Sequence, residues 1–222
     1  MEDVVNNYNS IMEQIRISAD QADRDLDDIK LIVVTKKFNS EKIKPLLDIG
    51  HLYYGENRVQ EALDKWPDLL NNYKDINLSL IGPLQTNKVK TALDLFSSIH
   101  TIDRKKLVDK IKSYPEKLKK INELFIQVNL GDESQKAGIS IESFDNFYIN
   151  AQENLKIDGL MCLPPKKDDA SIYFAFLNQM ATQKNLNKLS MGMSSDFKDA
   201  ISFGATHIRV GEAIMGLSLI HI

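Results

Sequence analysis

The feature that most constrains this chain is a regular alternation of short apolar runs with longer segments of helical periodicity, repeated from end to end. Leu31-Ile32-Val33-Val34 is β-branched and uninterrupted, the pattern of a strand covered on both faces. The next segment opens with Asn39 or Ser40 as cap, carries acidic Glu41 in its first turn and closes near Gly50, so it reads as a helix. Further strand-like pieces are His51–Tyr54, Leu78–Ile81, Ser98–Thr101, Leu124–Val128, Ile157–Met161, Lys188–Ser190 and His207–Val210. Helical stretches lie between them over Val59–Leu70, Thr86–Phe96, Lys105–Lys119, Ser143–Gln152, Asp169–Lys184 and Asp196–Phe203. Ahead of the first strand, Val5, Tyr8, Ile11, Met12 and Ile15 recur at helical spacing within Val4–Ala22.

About eight strands, each followed by a helix, within 222 residues predict a parallel sheet closed into a single (β/α)8 TIM-type barrel with an extra N-terminal helix. An open doubly wound sheet is the competing architecture. It loses weight because no Gly-x-Gly-x-x-Gly turn follows the first strand. No linker, repeat or low-complexity segment divides the chain, so residues 1–222 read as one domain.

Composition narrows the function. With 43% hydrophobic and 27% charged residues the chain has the mix of an ordinary globular domain, and a net charge of −3 offers no general attraction to nucleic acid or anionic membrane. The Lys117, Lys119 and Lys120 run reads as a solvated helix end. No apolar stretch approaches the roughly 20 residues that span a bilayer. The acidic start Met1-Glu2-Asp3-Val4 lacks the regions of a signal peptide, so a cytoplasmic location is expected. The lone cysteine, Cys162, rules out an internal disulfide and sits in Gly159–Leu163 as a small buried hydrophobe. His51, His100 and His207 fall on different strands and His221 in the tail, without metal-ligand spacing. No apolar helix face demands a partner, and a monomer is expected.

In such a barrel the strand ends carry the chemistry. They are unusual here: Thr35-Lys36-Lys37, Gly55-Glu56-Asn57-Arg58, Gly82 to Lys88, Asn129-Leu130-Gly131 with Glu133, Lys136 and Gly138, Ser190-Met191-Gly192-Met193-Ser194, and Arg209-Val210-Gly211-Glu212-Ala213. Lys36 closes an apolar strand, where desolvation and the nearby Lys37 and Lys88 charges would free its amine for carbonyl chemistry. Position alone favours a snorkelling strand-end lysine. The last two segments weigh more together. Gly211 lets backbone N–H groups approach an anion, Ala213-Ile214-Met215 can start a short helix, and barrels often bind phosphate after strands seven and eight. The Glu212 side chain must then turn away from the anion or pair with a lysine, while Arg209 can meet the anion or lie under a ring nitrogen.

Taken in order, Val33–Lys36, Tyr54–Glu61, Ile81–Lys88, Gly159–Pro164, Leu189–Ser194 and Arg209–Gly216 resemble the pyridoxal phosphate homeostasis protein family, of the alanine racemase N-terminal-domain type. The resemblance implies pyridoxal 5′-phosphate (PLP) held as a Schiff base on Lys36. It also implies phosphate contacts from the loop Ser190, Met193 and Ser194 and from Gly211 and Glu212, with Arg209 facing the pyridine nitrogen and Asn57 near the ring. The implied role is to carry or buffer PLP, with PLP-dependent apo-enzymes as recipients and no turnover. An arginine at the ring nitrogen leaves it unprotonated and weakens the electron sink that PLP catalysis needs. Alanine racemases add a second domain with a catalytic tyrosine, which is not expected here because the chain ends soon after the eighth strand. Two rival readings stay open: a racemase-like enzyme using Lys36 as base, and a barrel enzyme joining Lys36 to a phosphorylated substrate. The chain departs from the family pattern at Leu78-Ser79-Leu80-Ile81-Gly82, where Trp-His-Phe-Ile-Gly is usual, at Thr35, where serine is common, and in its tail from Leu217 to Ile222.

Overall fold

The computed structural model describes residues 2–131, 133, 137–165 and 168–216, which leaves Lys136 and the atypical tail outside the described residues. Nine parallel strands form the sheet: β1 (Lys30–Val34), β2 (Tyr53–Glu56), β3 (Asn77–Leu80), β4 (Ser98–Ile102), β5 (Glu123–Asn129), β6 (Ile139–Ser140), β7 (Gly159–Cys162), β8 (Lys188–Ser190) and β9 (His207–Val210). Eight of them close a ring in the order β1-β2-β3-β4-β5-β7-β8-β9, with β9 returning to β1 through Val33↔Val210 and β4 joined to β5. The two-residue β6 lies beside the end of β5. The expected (β/α)8 barrel is therefore present.

Around the ring stand α2 (Ser40–Asp48), α3 (Val59–Asn72), α4 (Val89–Leu95), α5 (Lys105–Lys112), α6 (Pro115–Leu118), α7 (Ile141–Asn154), α8 (Ala170–Gln183), α9 (Phe197–Ser202) and α10 (Glu212–Met215). The N-terminal α1 (Glu2–Gln21) packs against α9 and α10, where Asn7 Nδ2 donates to the Ile214 carbonyl at 3.2 Å. Asn39 is the cap of α2, accepting from the Lys42 amide at 3.1 Å. Two helices differ from expectation. The stretch Lys105–Lys119 breaks at Tyr114, because Pro115 supplies no N–H and pushes the residue before it off the helical region. The stretch from Thr86 begins as a 3-10 turn over Thr86–Lys88 before α4 takes over.

The main apolar core lies between the ring and its helices, where outward residues such as Val33, Tyr54 and Leu78 meet Ile43, Leu46 and the fully buried Trp66. Inside the ring the layers are mixed. Ile32, Ile81, Phe125 and Met161 share that space with buried Ser79, Ser98, His100, Gln127, Ser190, His207 and Arg209. Polar groups in such a place must satisfy one another.

At the amino ends of the strands the balance is ionic. Glu123 receives Lys30 Nζ at 2.7 Å, Lys188 Nζ at 3.0 Å and His207 Nε2 at 3.0 Å. Burial disfavours the Glu123 charge, but the His207 hydrogen bond and the two lysines overcome it and hold the carboxyl well below the usual range. Replacing it, Glu123→Gln, should cost about 2 kcal/mol at neutral pH, since Lys30 loses its carboxylate and Lys188 is left with the longer contact to Asp158 at 3.9 Å. A carboxyl depressed on folding contributes above the ordinary carboxylate range and loses that contribution as pH falls toward its folded value. Urea midpoints of the two proteins should accordingly converge in acid; a constant gap would contradict this assignment.

Candidate functional site

Strand register brings the expected residues to one arc of the carboxyl-terminal mouth. Val34 pairs with Gly55 of β2 and Val33 with Val210 of β9, so the chain beyond β1 runs between the chain beyond β2 and the chain beyond β9. On the other side of β9, Ser190 pairs with His207, and the Arg209 amide donates to the Gly192 carbonyl at 2.9 Å. Four neighbouring strands thus deliver Asn57, Lys36, Gly211 with Glu212, and Met191 to Ser194. Alternation sharpens this. Ile32 packs inward against the position of Gly55, so Val34 and then Lys36 fall on the inward parity, as do Asn57 after Gly55 and Gly211 after Arg209.

Lys36 is exposed and its ammonium has no protein partner among the described residues. The desolvated lysine expected from the apolar strand is not what the fold provides, because Lys36 sits two residues beyond β1 in a turn open to solvent. Asn57 is half-buried and also without a side-chain partner among the described residues. Its backbone is fixed by Gly82, where an added Cβ would lie 2.1 Å from the Asn57 carbonyl oxygen. Between these two loops a recess of about 580 Å³ is lined by Asn57, Arg58, Gln60, Pro83, Gln85 and Lys88, with Val59 at its base. A cleft of about 430 Å³ beside Tyr8, His51 and Tyr53 lies at the opposite end of the strands, away from these groups.

Arg209 is buried within the ring. Its Nη1 donates to Ser190 Oγ at 2.6 Å and its Nη2 to the Cys162 carbonyl at 2.9 Å. Burial pushes its pKa down to about 10, so it remains a cation at neutral pH, and no carboxylate pairs with it among the described residues. Cys162 is buried with its thiol pushed up to about 12, in keeping with its reading as a small hydrophobe.

Ser190 is engaged within the ring. Its hydroxyl is fully buried, accepting from Arg209 and lying 2.8 Å from His100 Nδ1. His100 is kept well below its usual pKa by burial and by the charges of His207 and Arg209, hence neutral. One proton arrangement then satisfies the chain: Ser190 Oγ–H to Nδ1, Nε2–H to Ser98 at 3.2 Å, and Ser98 Oγ–H to Ser79 at 2.8 Å. Ser79, at the family's usual histidine position, ends this chain. Sequence reasoning missed His100 as part of the site; its only signal was an inward-facing imidazole on a central strand.

The two anion-friendly loops have unequal capacity. In the 190s loop the Met193 amide donates to Asp196 Oδ1 at 2.6 Å, while the Ser194 amide has no partner among the described residues. Gly192, at φ +90°, carries its carbonyl to the Arg209 amide and its Cα against α9, where a Cβ would meet Ala200 at 2.6 Å. In the other loop Glu212 is exposed with its side chain outward, and the amides of Gly211, Glu212 and Ala213 lack protein acceptors among the described residues. Open amides face a site that also holds a free primary amine and a buried cation. Together they suit a small phosphorylated carbonyl compound with a basic ring.

The alanine racemase N-terminal domain model matches residues 9–219. Curated relatives named pyridoxal phosphate homeostasis protein include one from Aquifex aeolicus, 36% identical over 93% of this chain and 94% of the relative, and one from Escherichia coli K12, 31% identical over 97% of both. Among solved structures, PipY of Synechococcus elongatus with PLP bound is 32% identical, with a TM-score of 0.77 over 85% of this chain and 93% of PipY. An alanine racemase of Clostridium difficile shares the fold at 14% identity and a TM-score of 0.72, with 56% of its length matched. The chain therefore belongs to the alanine racemase N-terminal domain family and, within it, to the pyridoxal phosphate homeostasis proteins.

Proposed function

We propose that this chain binds PLP covalently through the amine of Lys36 and carries or buffers it, without turning over a substrate of its own. The observation that carries the reading is the single arc in which an unpartnered lysine, open backbone amides and a buried arginine converge. Bound PLP supplies an aldehyde that joins a primary amine and, when its ring nitrogen is protonated, an electron sink.

The residues present divide the work. Lys36 offers the amine. The amides of Ser194, Gly211, Glu212 and Ala213 hold the phosphate, and the Glu212 side chain stays outside. Asn57 flanks the ring. Arg209, with N–H donors left over beyond Ser190 and Cys162, meets the ring nitrogen and withholds the proton that a carboxylate would supply. A ring nitrogen held in this way suits storage and release better than carbanion chemistry. An exposed lysine at an open mouth also suits hand-over to PLP-dependent apo-enzymes by a monomer in the cytoplasm. No helix among the described residues is long and apolar enough to cross a membrane.

The test is a titration of the purified protein with PLP, followed by borohydride reduction and peptide mapping. A stoichiometric adduct is expected. Incubation with alanine or serine in deuterated water should show no α-hydrogen exchange above that of free PLP. Exchange well above it would replace the carrier with a racemase-like enzyme.

A further inference from the structure

Thr35 to Phe38 form a tight reverse turn, closed by the Phe38 amide donating to the Thr35 carbonyl at 3.2 Å, with Lys36 and Lys37 at its two central positions. Lys37 has φ +67° while Lys36 has not a positive φ, which is the pattern of a type II turn. Glycine or asparagine is the usual residue at that third position, and a lysine there costs roughly 1 kcal/mol. Something outside the turn must hold it.

The holding groups come from α3, on the outer side of the barrel wall. Lys65, only 8% exposed, donates from Nζ to the Thr35 carbonyl at 2.7 Å and to the Phe38 carbonyl at 3.0 Å, pinning both ends of the turn. The same ammonium lies 2.7 Å from Glu56 Oε1 and 3.2 Å from Glu61 Oε1. Glu56 Oε1 also accepts from Thr35 Oγ1 at 2.5 Å and from Trp66 Nε1 at 3.0 Å. Glu61 Oε1 accepts the Lys37 amide in a short hydrogen bond. That last contact is informative. Type I and type II turns differ by a flip of the central peptide, here the Lys36 carbonyl with the Lys37 amide, and an acceptor on that amide selects one of the two. The flip reverses the Lys36 carbonyl and the Lys37 amide, and so changes which backbone dipole lies beside the Lys36 side chain.

We propose that Glu61 and Lys65 are positioning residues that set the conformation of the turn presenting Lys36, and so govern how readily its amine captures a carbonyl ligand. This rests on the reading that Lys36 carries PLP, and deepens it. Neither side chain lines the recess beside Asn57. Both act through backbone, so they should affect the covalent step at Lys36 and leave the non-covalent grip on the phosphate alone.

The test is a double-mutant cycle on the full chain. Glu61→Ala and Lys65→Met are each made with and without Lys36→Ala, and PLP affinity and the borohydride-reducible fraction are measured. Glu61 is 30% exposed, so its variant reports even where Lys65→Met fails to fold. In the Lys36 background each variant should lower adduct formation by roughly tenfold, the scale of a reacting group misplaced by less than an ångström. In the Lys36→Ala background neither should change residual PLP affinity. Glu61→Gln, which keeps an acceptor for the Lys37 amide, should restore most of the loss. An equal loss in both backgrounds, or no loss in either, overturns the proposal. If Lys36→Ala alone leaves the adduct intact, the PLP assignment fails instead. The turn is then read by the rate of reductive methylation of the Lys36 amine in ligand-free protein, which Glu61→Ala must still alter for the proposal to stand.

Discussion

Lys36→Ala is expected to abolish the borohydride-reducible PLP adduct while leaving the fold and its thermal transition unchanged. Lys36 lies beyond β1 in an exposed turn and makes no side-chain hydrogen bond among the described residues, so its truncation removes no packing and strands no buried group. Surface substitutions of this kind stay within about 0.5 kcal/mol. Ligand binding should drop to what the phosphate contacts alone provide. The check is a pair of measurements on one sample, mass after reduction and the melting transition. An adduct that persists on another lysine, such as Lys37 or Lys88, would move the site one residue or one loop away.

The second large effect concerns Arg209. A buried cation that faces a hydroxyl and a carbonyl, with no carboxylate pairing with it among the described residues, is costly to the ligand-free protein, and on the function proposed above it would meet the ring nitrogen of bound PLP. Arg209→Met keeps much of the volume and removes the charge. It forfeits the bond to the Cys162 carbonyl, a loss of about 1–3 kcal/mol, but relieves the desolvation of the guanidinium. Ligand-free stability should therefore change by no more than about 1–2 kcal/mol, while PLP affinity falls by at least about tenfold through loss of a charge-assisted contact. The absorbance of the bound cofactor should shift as well. A variant that unfolds without ligand, or binds PLP as tightly as the parent, would show that Arg209 serves the barrel interior alone.

Much of the site was legible because it depends on local order. The β-branched run Leu31–Val34 ends two residues before Lys36, and a strand end in a barrel must face the mouth, so its neighbours place Lys36 there, while its reading as the PLP lysine came from the two distant loops and the family resemblance. Gly211 with the residues after it announced a turn into a short helix in the same way. The partners of Ser190 and of the Met193 amide within the protein were not legible. Whether a hydroxyl faces an anion or an arginine depends on a partner nineteen positions away, and on His100, ninety positions away. The Met193 amide is lost to the carboxylate of Asp196, which sequence reading had placed only as the start of a helix. Glu61 and Lys65 stand four positions apart on one helix, a spacing that carries no further signal in the sequence. Only closure of the barrel sets them beneath the backbone of the Lys36 turn.

By itself the sequence determined which segments are strands and helices and that the strands must run parallel, because hydrophobic periodicity and caps act over a few residues. It also determined which residues stand at the strand ends. The tertiary structure alone decided which of those ends become neighbours, which inward side chains satisfy one another, and that the lysine is presented by a clamped turn instead of a desolvated strand. The physical reason is that polar groups inside a closed barrel must find partners across the ring. Those pairings follow from register and closure, to which no short window of sequence has access.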